Sequence, residues 1–172
     1  MMHVIRVLAT NLILGALVVT AAALALAADH FWAFSLPKQF GLLAWPLLIL
    51  GTFLILAAEY SFITVAHATG APTDPPRQLV ATGLYRWVRN PIYLGAALLL
   101  FGVAFVNRSP TTLLIALTFL PAIHAIVVLV EEPRTERRFG AEYATYKENV
   151  PRWLPQLPQR EENARDGQYA QK

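Results

Sequence analysis

Two apolar runs joined by a four-residue turn constrain this chain most. Pro91 to about Val106 and Thr111 to Val130 are separated only by Asn107-Arg108-Ser109-Pro110. A run of about 20 apolar residues crosses a bilayer core as a helix. Sixteen residues rise roughly 24 Å at about 1.5 Å each, so the first of the two is short for that task. A connection this tight makes the pair an antiparallel helical hairpin. The chain therefore returns to the side from which it set out. Whatever precedes Pro91 meets whatever follows Val130.

The composition says which solvent these helices face. Of the 172 residues, 56% are hydrophobic and 15% charged, against about 45–50% and about 25% in ordinary soluble domains. Lipid is the expected surrounding. The chain has no cysteine, which removes disulfides, thiolate metal sites and thiol nucleophiles. The net charge is +3, and the arginines flank apolar spans. No basic face for nucleic acid is expected, and no metal.

Two further spans precede the hairpin. The first runs from Val7 to Ala28, with Arg6 ahead of it and Leu26-Ala27-Ala28 at its end. It reads as a retained helix or as a cleaved signal peptide. Signal-peptide apolar cores are shorter, about 7–15 residues, which favours the retained helix. The loop Asp29 to Gln39 carries Phe31, Trp32 and Phe34, aromatics of the membrane–water boundary. The second span runs from about Phe40 to Ala66, with Pro46 expected to kink it and Glu59 near its end. An ionisable residue in a span is a functional candidate. Headgroup contact or pairing with a loop arginine is the other reading. His124, inside the fourth span with Pro121, reads as a packed hydrogen-bonding group.

The loop from Thr69 to Asn90 begins TGAPTDPP, which cannot be helical. After Glu131-Glu132, the stretch RTERRFGAEYATYKENV spaces Phe139, Tyr143, Tyr146 and Val150 by four, three and four residues. That is one face of a helix lying at the interface. A polar tail, 156–172, is expected to be disordered. The fold class is thus all-α: a polytopic membrane helical bundle of about four transmembrane helices plus a C-terminal amphipathic cytoplasmic helix. Residues 1–155 form one domain, with its functional half at 79–155.

Arginines and lysines orient it. Arg6, Arg77, Arg86, Arg89 and the eight basic residues from Arg134 onward fall on one side, and only Lys38 and Arg108 on the other. Twelve against two places both termini and the 69–90 loop in the cytoplasm. An integral, multi-pass protein of a bacterial inner membrane is expected.

The most distinctive stretch is GLYRWVRNPIYLG, Gly83 to Gly95. Asn90 is a good helix N-cap and Pro91 suits the first helical position. The hairpin sets Arg89, Asn90 and Pro91 beside Glu131 and Glu132. Carboxylates at the end of an apolar helix are costly at the lipid boundary and oppose the helix dipole. Their compensation is either a structural ion pair with Arg86 or Arg89, or a cationic ligand. The residues alone leave both open.

The paired blocks resemble the isoprenylcysteine carboxyl methyltransferase family and the wider group that includes the phospholipid N-methyltransferases. The likeness covers Leu79 to Pro155. It rests on Arg89, Asn90, Pro91, Tyr93 and Gly95, then Glu131 and Glu132, then Phe139, Gly140, Glu142 and Tyr143. Eukaryotic carboxyl methyltransferases have histidine where this chain has Asn90, and a large apolar residue is usual where Thr135 sits. No glycine-rich dinucleotide fingerprint is present.

The resemblance implies an integral membrane enzyme that uses S-adenosylmethionine on a lipid-like or prenylated acceptor. It implies Arg89 and Glu132 as catalytic residues. Tyr85, Arg89, Asn90, Pro91, Tyr93, Gly95, Glu131, Glu132 and Tyr143 are the implied cofactor-binding set. Glu131 or Glu132 would take the cofactor's ammonium or ribose, and Arg89, with Arg86, its carboxylate. Tyr85, Tyr93 or Tyr143 would face the sulfonium or adenine. Glu59 or a water would be the base for an amine acceptor. Two other functions compete: an NADPH-dependent membrane reductase of the sterol and isoprenoid type, and a non-catalytic membrane scaffold. A diphosphate site calls for several basic groups, whereas two glutamates border this one.

Overall fold

The computed structural model describes residues 20, 21, 23–66 and 77–155. Most of the first span, the TGAPTDPP loop start and the polar tail lie outside the described residues. Every regular element among the described residues is helical. Helix α1 is Gly41–Ser61, α2 is Pro91–Asn107, α3 is Pro110–Ile126, α4 is Glu132–Phe139 and α5 is Ala141–Asn149.

Two stretches are long and apolar enough to cross a membrane, Lys38–Val65 with 28 residues and Pro110–Phe139 with 30; Pro91–Asn107 is a shorter apolar helix. Pro91 starts α2 where its missing N–H costs nothing. Arg108 adopts a left-handed turn between α2 and α3 at φ 53°. Ser109 caps α3, its hydroxyl accepting from Thr112 N–H at 3.0 Å. The hairpin is therefore built by local chemistry, as its spacing predicts.

Helix α2 runs along α1 over most of its length and touches α3 less extensively. Small residues make the first contact possible. A Cβ on Gly95 would stand 2.8 Å from the Gly51 carbonyl, and one on Gly51 would stand 2.7 Å from the Gly95 carbonyl. A Cβ on Gly102 would meet the Leu48 side chain at 2.7 Å and the Ala44 carbonyl at 3.2 Å. Close backbone approach between apolar helices replaces the hydrophobic driving force that lipid does not supply. The opposite face of α1 is exposed at Leu42, Trp45, Ile49, Phe53 and Leu56.

On the side of Lys38 and Arg108, the loop after Asp29 is tied to the hairpin turn. Arg108 Nε donates to the Leu36 carbonyl at 2.7 Å, and Trp32 Nε1 donates to Thr111 Oγ1 at 2.8 Å. Thr111 N–H donates to Asp29 Oδ1 at 3.0 Å. That carboxylate sits at the positive end of α3. Trp32, expected as a boundary aromatic, is thus a residue bonded to the start of α3.

Two expectations need correction. The apolar helix does not stop at the glutamates. It passes through a π turn, Val127–Glu131, and continues as α4. Pro133 is the physical cause: it has no N–H for the Leu129 carbonyl, and its ring crowds that carbonyl. The chain widens, and Glu132 N–H bonds back to the Val127 carbonyl, five residues earlier. The dipole penalty expected of a helix end does not arise there. Second, the amphipathic stretch is not one helix. It breaks at Gly140, whose φ of 53° and ψ of −125° exclude most L residues. The stripe survives the break, with Tyr143 and Val150 buried and Phe139 and Tyr146 half-buried.

Candidate active site

Four of the residues singled out above meet where α2 begins and α3 ends. Arg89 Nη1 donates to Glu132 Oε1 at 2.8 Å. The Tyr93 hydroxyl donates to Glu131 Oε1. The π turn sets the rotation at which neighbouring carboxylates both reach α2 and its lead-in, and such turns recur at functional sites. The Arg89 and Glu132 side chains are only 10% and 12% exposed.

A third charged partner was not legible in the motif. Arg152 Nε and Nη2 donate to Glu132 Oε1 and Oε2 at 2.7 and 2.9 Å, a two-pronged grip. Its one sequence signal is its place between Pro151 and Trp153, close behind the amphipathic stretch and on the arginine-rich side. Asn90 stands at the N-cap of α2 but makes no side-chain cap bond. Its amide donates to the Arg152 carbonyl at 3.1 Å. Arg89 N–H donates to the Pro151 carbonyl at 2.9 Å. Residues 151–153 are thereby strapped across the start of α2.

The tyrosines surround this cluster. Tyr85 is buried with Ala58 and Val80, its ring edge-on to Phe62. Burial, then Tyr146 and Glu59, push its phenol well above the ordinary value. Tyr146 donates its hydroxyl to the Tyr85 carbonyl at 2.8 Å, and burial raises its phenol too. The Tyr143 phenol is raised by burial and by Glu132, with Arg89 opposing. All three stay protonated donors at neutral pH. Arg86 is exposed and outside the cluster. Pro91 is buried as the first residue of α2, and Gly95 lies against Gly51 of α1.

Beside the cluster lies a cavity of about 320 Å³ between α2 and α3. Leu94 and Ala97 line it from α2, and Leu120 and Ile123 from α3. Pro121, Tyr93, His124 and Trp153 complete the lining. Trp153 Nε1 donates to His124 Nδ1 at 3.0 Å, so His124 is a hydrogen-bonding group, as its lone intramembrane position suggests. One buried polar atom is left over among the described residues: Arg89 Nε has no acceptor. A buried donor of this kind costs free energy unless an acceptor is supplied. No group of three or more His, Asp or Glu side chains converges among the described residues.

This constellation sits inside a recognisable sequence pattern. The model of the phospholipid methyltransferase family matches residues 40–142, more than half of the chain. The chain belongs to the phospholipid methyltransferase family. The matched stretch holds α1, the hairpin, both glutamates and Arg89. The chain is also 29% identical over 115 residues to Protein-S-isoprenylcysteine O-methyltransferase of Saccharomyces cerevisiae, over 62% of this chain and 48% of that protein. It thus spans about half the length of that curated relative. Arg152 and Trp153 lie beyond the family match, which is why the strap has to be read from tertiary contacts.

Proposed function

We propose that this protein is an integral membrane methyltransferase that uses S-adenosylmethionine on a lipid-like or isoprenylcysteine-type acceptor. The observation that carries this is the meeting of Arg89 with Glu132 and of Tyr93 with Glu131, within a chain of this family. The donor set fits the cofactor's chemistry. Arg89 Nε is a buried donor short of an acceptor, suited to a carboxylate. Glu131 is a carboxylate suited to an ammonium or to ribose hydroxyls. Glu132 is gripped by two guanidinium groups, so its part is to hold Arg89 in place. Tyr85, Tyr93 and Tyr143 offer protonated phenols and aromatic faces to the remainder. Asn90, Pro91 and Gly95 shape the helix start against which it lies.

S-adenosylmethionine supplies an electrophilic methyl carbon, and the pair of electrons in the breaking carbon–sulfur bond leaves with a neutral thioether. No protein acid is required. The protein's task is to align an acceptor oxygen or nitrogen and exclude water. A carboxylate acceptor needs no base. An amine acceptor must lose a proton, and Glu59, whose charge acts on Tyr85, is the nearest carboxylate on α1 for that step. In this reading the chain crosses the membrane four times, the helices after Glu131 lie at the cytoplasmic surface, and both termini are cytoplasmic. The acceptor arrives from the bilayer and the cofactor from the cytoplasm.

Calorimetric titration of S-adenosylhomocysteine into the full chain in phospholipid nanodiscs tests the reading. Binding at micromolar concentration is expected, weakened about tenfold or more by Arg89→Lys, which loses the planar fork. Binding of NADPH with none of S-adenosylhomocysteine would sink it. Incubation of membranes with methyl-labelled S-adenosylmethionine then identifies the acceptor and whether oxygen or nitrogen is methylated.

A further inference from the structure

The cavity between α2 and α3 is joined to the charged cluster by two side chains. Tyr93 lines the cavity and donates to Glu131. Trp153 lines it as well, and its neighbour Arg152 grips both oxygens of Glu132. Its lining is almost wholly apolar, with the Tyr93 hydroxyl engaged by Glu131 and His124 Nδ1 by Trp153. What the cavity presents to a guest is therefore hydrocarbon. Its volume of about 320 Å³ lies at the lower end of ligand pockets, roughly 300–1,000 Å³. One wall belongs to a helix long enough to cross a membrane.

We propose that this cavity takes a single hydrocarbon chain, and that its occupancy is transmitted to Glu131-Glu132 through Tyr93 and through the Arg152–Trp153 strap. His124 and Asn90 are positioning residues for that strap: His124 holds Trp153, and Asn90 holds the carbonyl of Arg152. A guest that displaces the Trp153 ring breaks its bond to His124, one of the anchors of the strap on which Arg152 is the adjoining residue. Arg152 is the looser of the two cations on Glu132, with 29% of its side chain exposed against 10% for Arg89. Water can take over its guanidinium more cheaply than that of Arg89. The strap is thus the part that yields, and Arg89 stays. In functional terms the proposal rests on the methyltransferase reading, in which the guest is the acceptor's tail and the carboxylates serve the cofactor. The coupling itself is a property of the apoprotein and is measured without the cofactor.

The test uses the full chain in phosphatidylcholine nanodiscs with Trp32, Trp45 and Trp87 replaced by Phe, leaving Trp153 as the fluorophore. A dibrominated twelve-carbon alcohol is titrated in. Saturable quenching of Trp153 at low mole fraction is expected, and Ala97→Leu, which fills the cavity, should abolish it. Quenching that only tracks the bromine content of the bilayer overturns the proposal. Next, Glu132→Gln should shift the half-quenching point by about fivefold or more, the scale of a typical coupling between sites. In a His124→Phe background, where Trp153 has lost its acceptor, that shift should disappear. A shift of equal size in both backgrounds overturns the strap as the route. Should Glu132→Gln fail to fold, Arg152→Lys keeps the charge, loses the fork and is read in the same cycle. Failure of S-adenosylhomocysteine to bind would count against the enzymatic reading alone.

Discussion

Arg152 holds both carboxylate oxygens of Glu132, at 2.7 and 2.9 Å, from twenty residues further along the chain. With Arg89 on the same carboxylate, Glu132 joins three parts of the molecule: the start of α2, the π turn after α3, and the strap behind α5. The carboxylate of its neighbour Glu131 takes the Tyr93 hydroxyl of α2. The two glutamates are adjacent in sequence and unequal in role.

That inequality predicts unequal costs. Glu132→Gln leaves the nearly buried Arg89 short of its counter-charge, a loss on the order of 3 kcal/mol. Glu131→Gln weakens one hydrogen bond from a phenol, a loss of about 1 kcal/mol. Unfolding followed by circular dichroism in detergent measures both. Equal losses would show that Arg152 and Arg89 do not depend on Glu132.

Gly95 and Gly51 should be equally intolerant of a methyl group. Each would press a Cβ to within 2.8 Å of the other's carbonyl. Gly95→Ala and Gly51→Ala are each expected to cost about 1–3 kcal/mol by overpacking. Gly51 belongs to no proposed ligand site. If only Gly95→Ala weakens S-adenosylhomocysteine binding while stability is untouched, packing does not explain that glycine.

Gly140→Ala should destabilise by about 1–3 kcal/mol, because its backbone lies where L residues are strained. Open space surrounds the position, so the penalty is conformational and Gly140→Ser should cost the same. A clear difference between the two would point to a side-chain contact instead.

Alkali should loosen the tyrosine shell around the charged cluster. The phenols of Tyr85 and Tyr146 are raised in the folded protein by burial, above the ordinary value near 10 that they regain on unfolding. The folded state therefore prefers their protonated forms. Their contribution is whole below about pH 10 and is lost as pH rises beyond it. Melting temperature against pH should fall above that point, and less steeply in Tyr146→Phe. A flat profile to pH 12 would contradict the burial of these groups.

Thiol labelling tests the topology, since the chain has no cysteine. Lys38→Cys should react with an impermeant maleimide added outside spheroplasts, and Thr145→Cys only after lysis. Labelling of Thr145→Cys from outside would overturn the charge-based orientation.

The hairpin was legible in the sequence because its causes are local. Apolar run length, Pro91 and Pro110 at helix starts and a four-residue turn leave few alternatives. That geometry alone put Arg89, Asn90 and Pro91 beside Glu131 and Glu132. The continuation of the helix past the glutamates was not legible in the same way. A proline after two charges reads as a stop, yet a π turn absorbs Pro133 because neighbouring elements hold both sides of it. Gly140 broke the amphipathic stretch although its apolar spacing survived, since spacing records which face is buried and not whether the axis is straight. Asn90 was read as a cap from its position. Its amide instead serves a carbonyl brought from 62 residues away.

What the sequence by itself determined is the membrane solvent, the hairpin and the level at which its charges meet, all set by hydrophobicity and by interactions within a few residues. Only the tertiary structure decided which cation each carboxylate takes and what lies between the helices. Those depend on the return of residues 151–153 across α2, and no local pattern encodes a contact made at that distance along the chain.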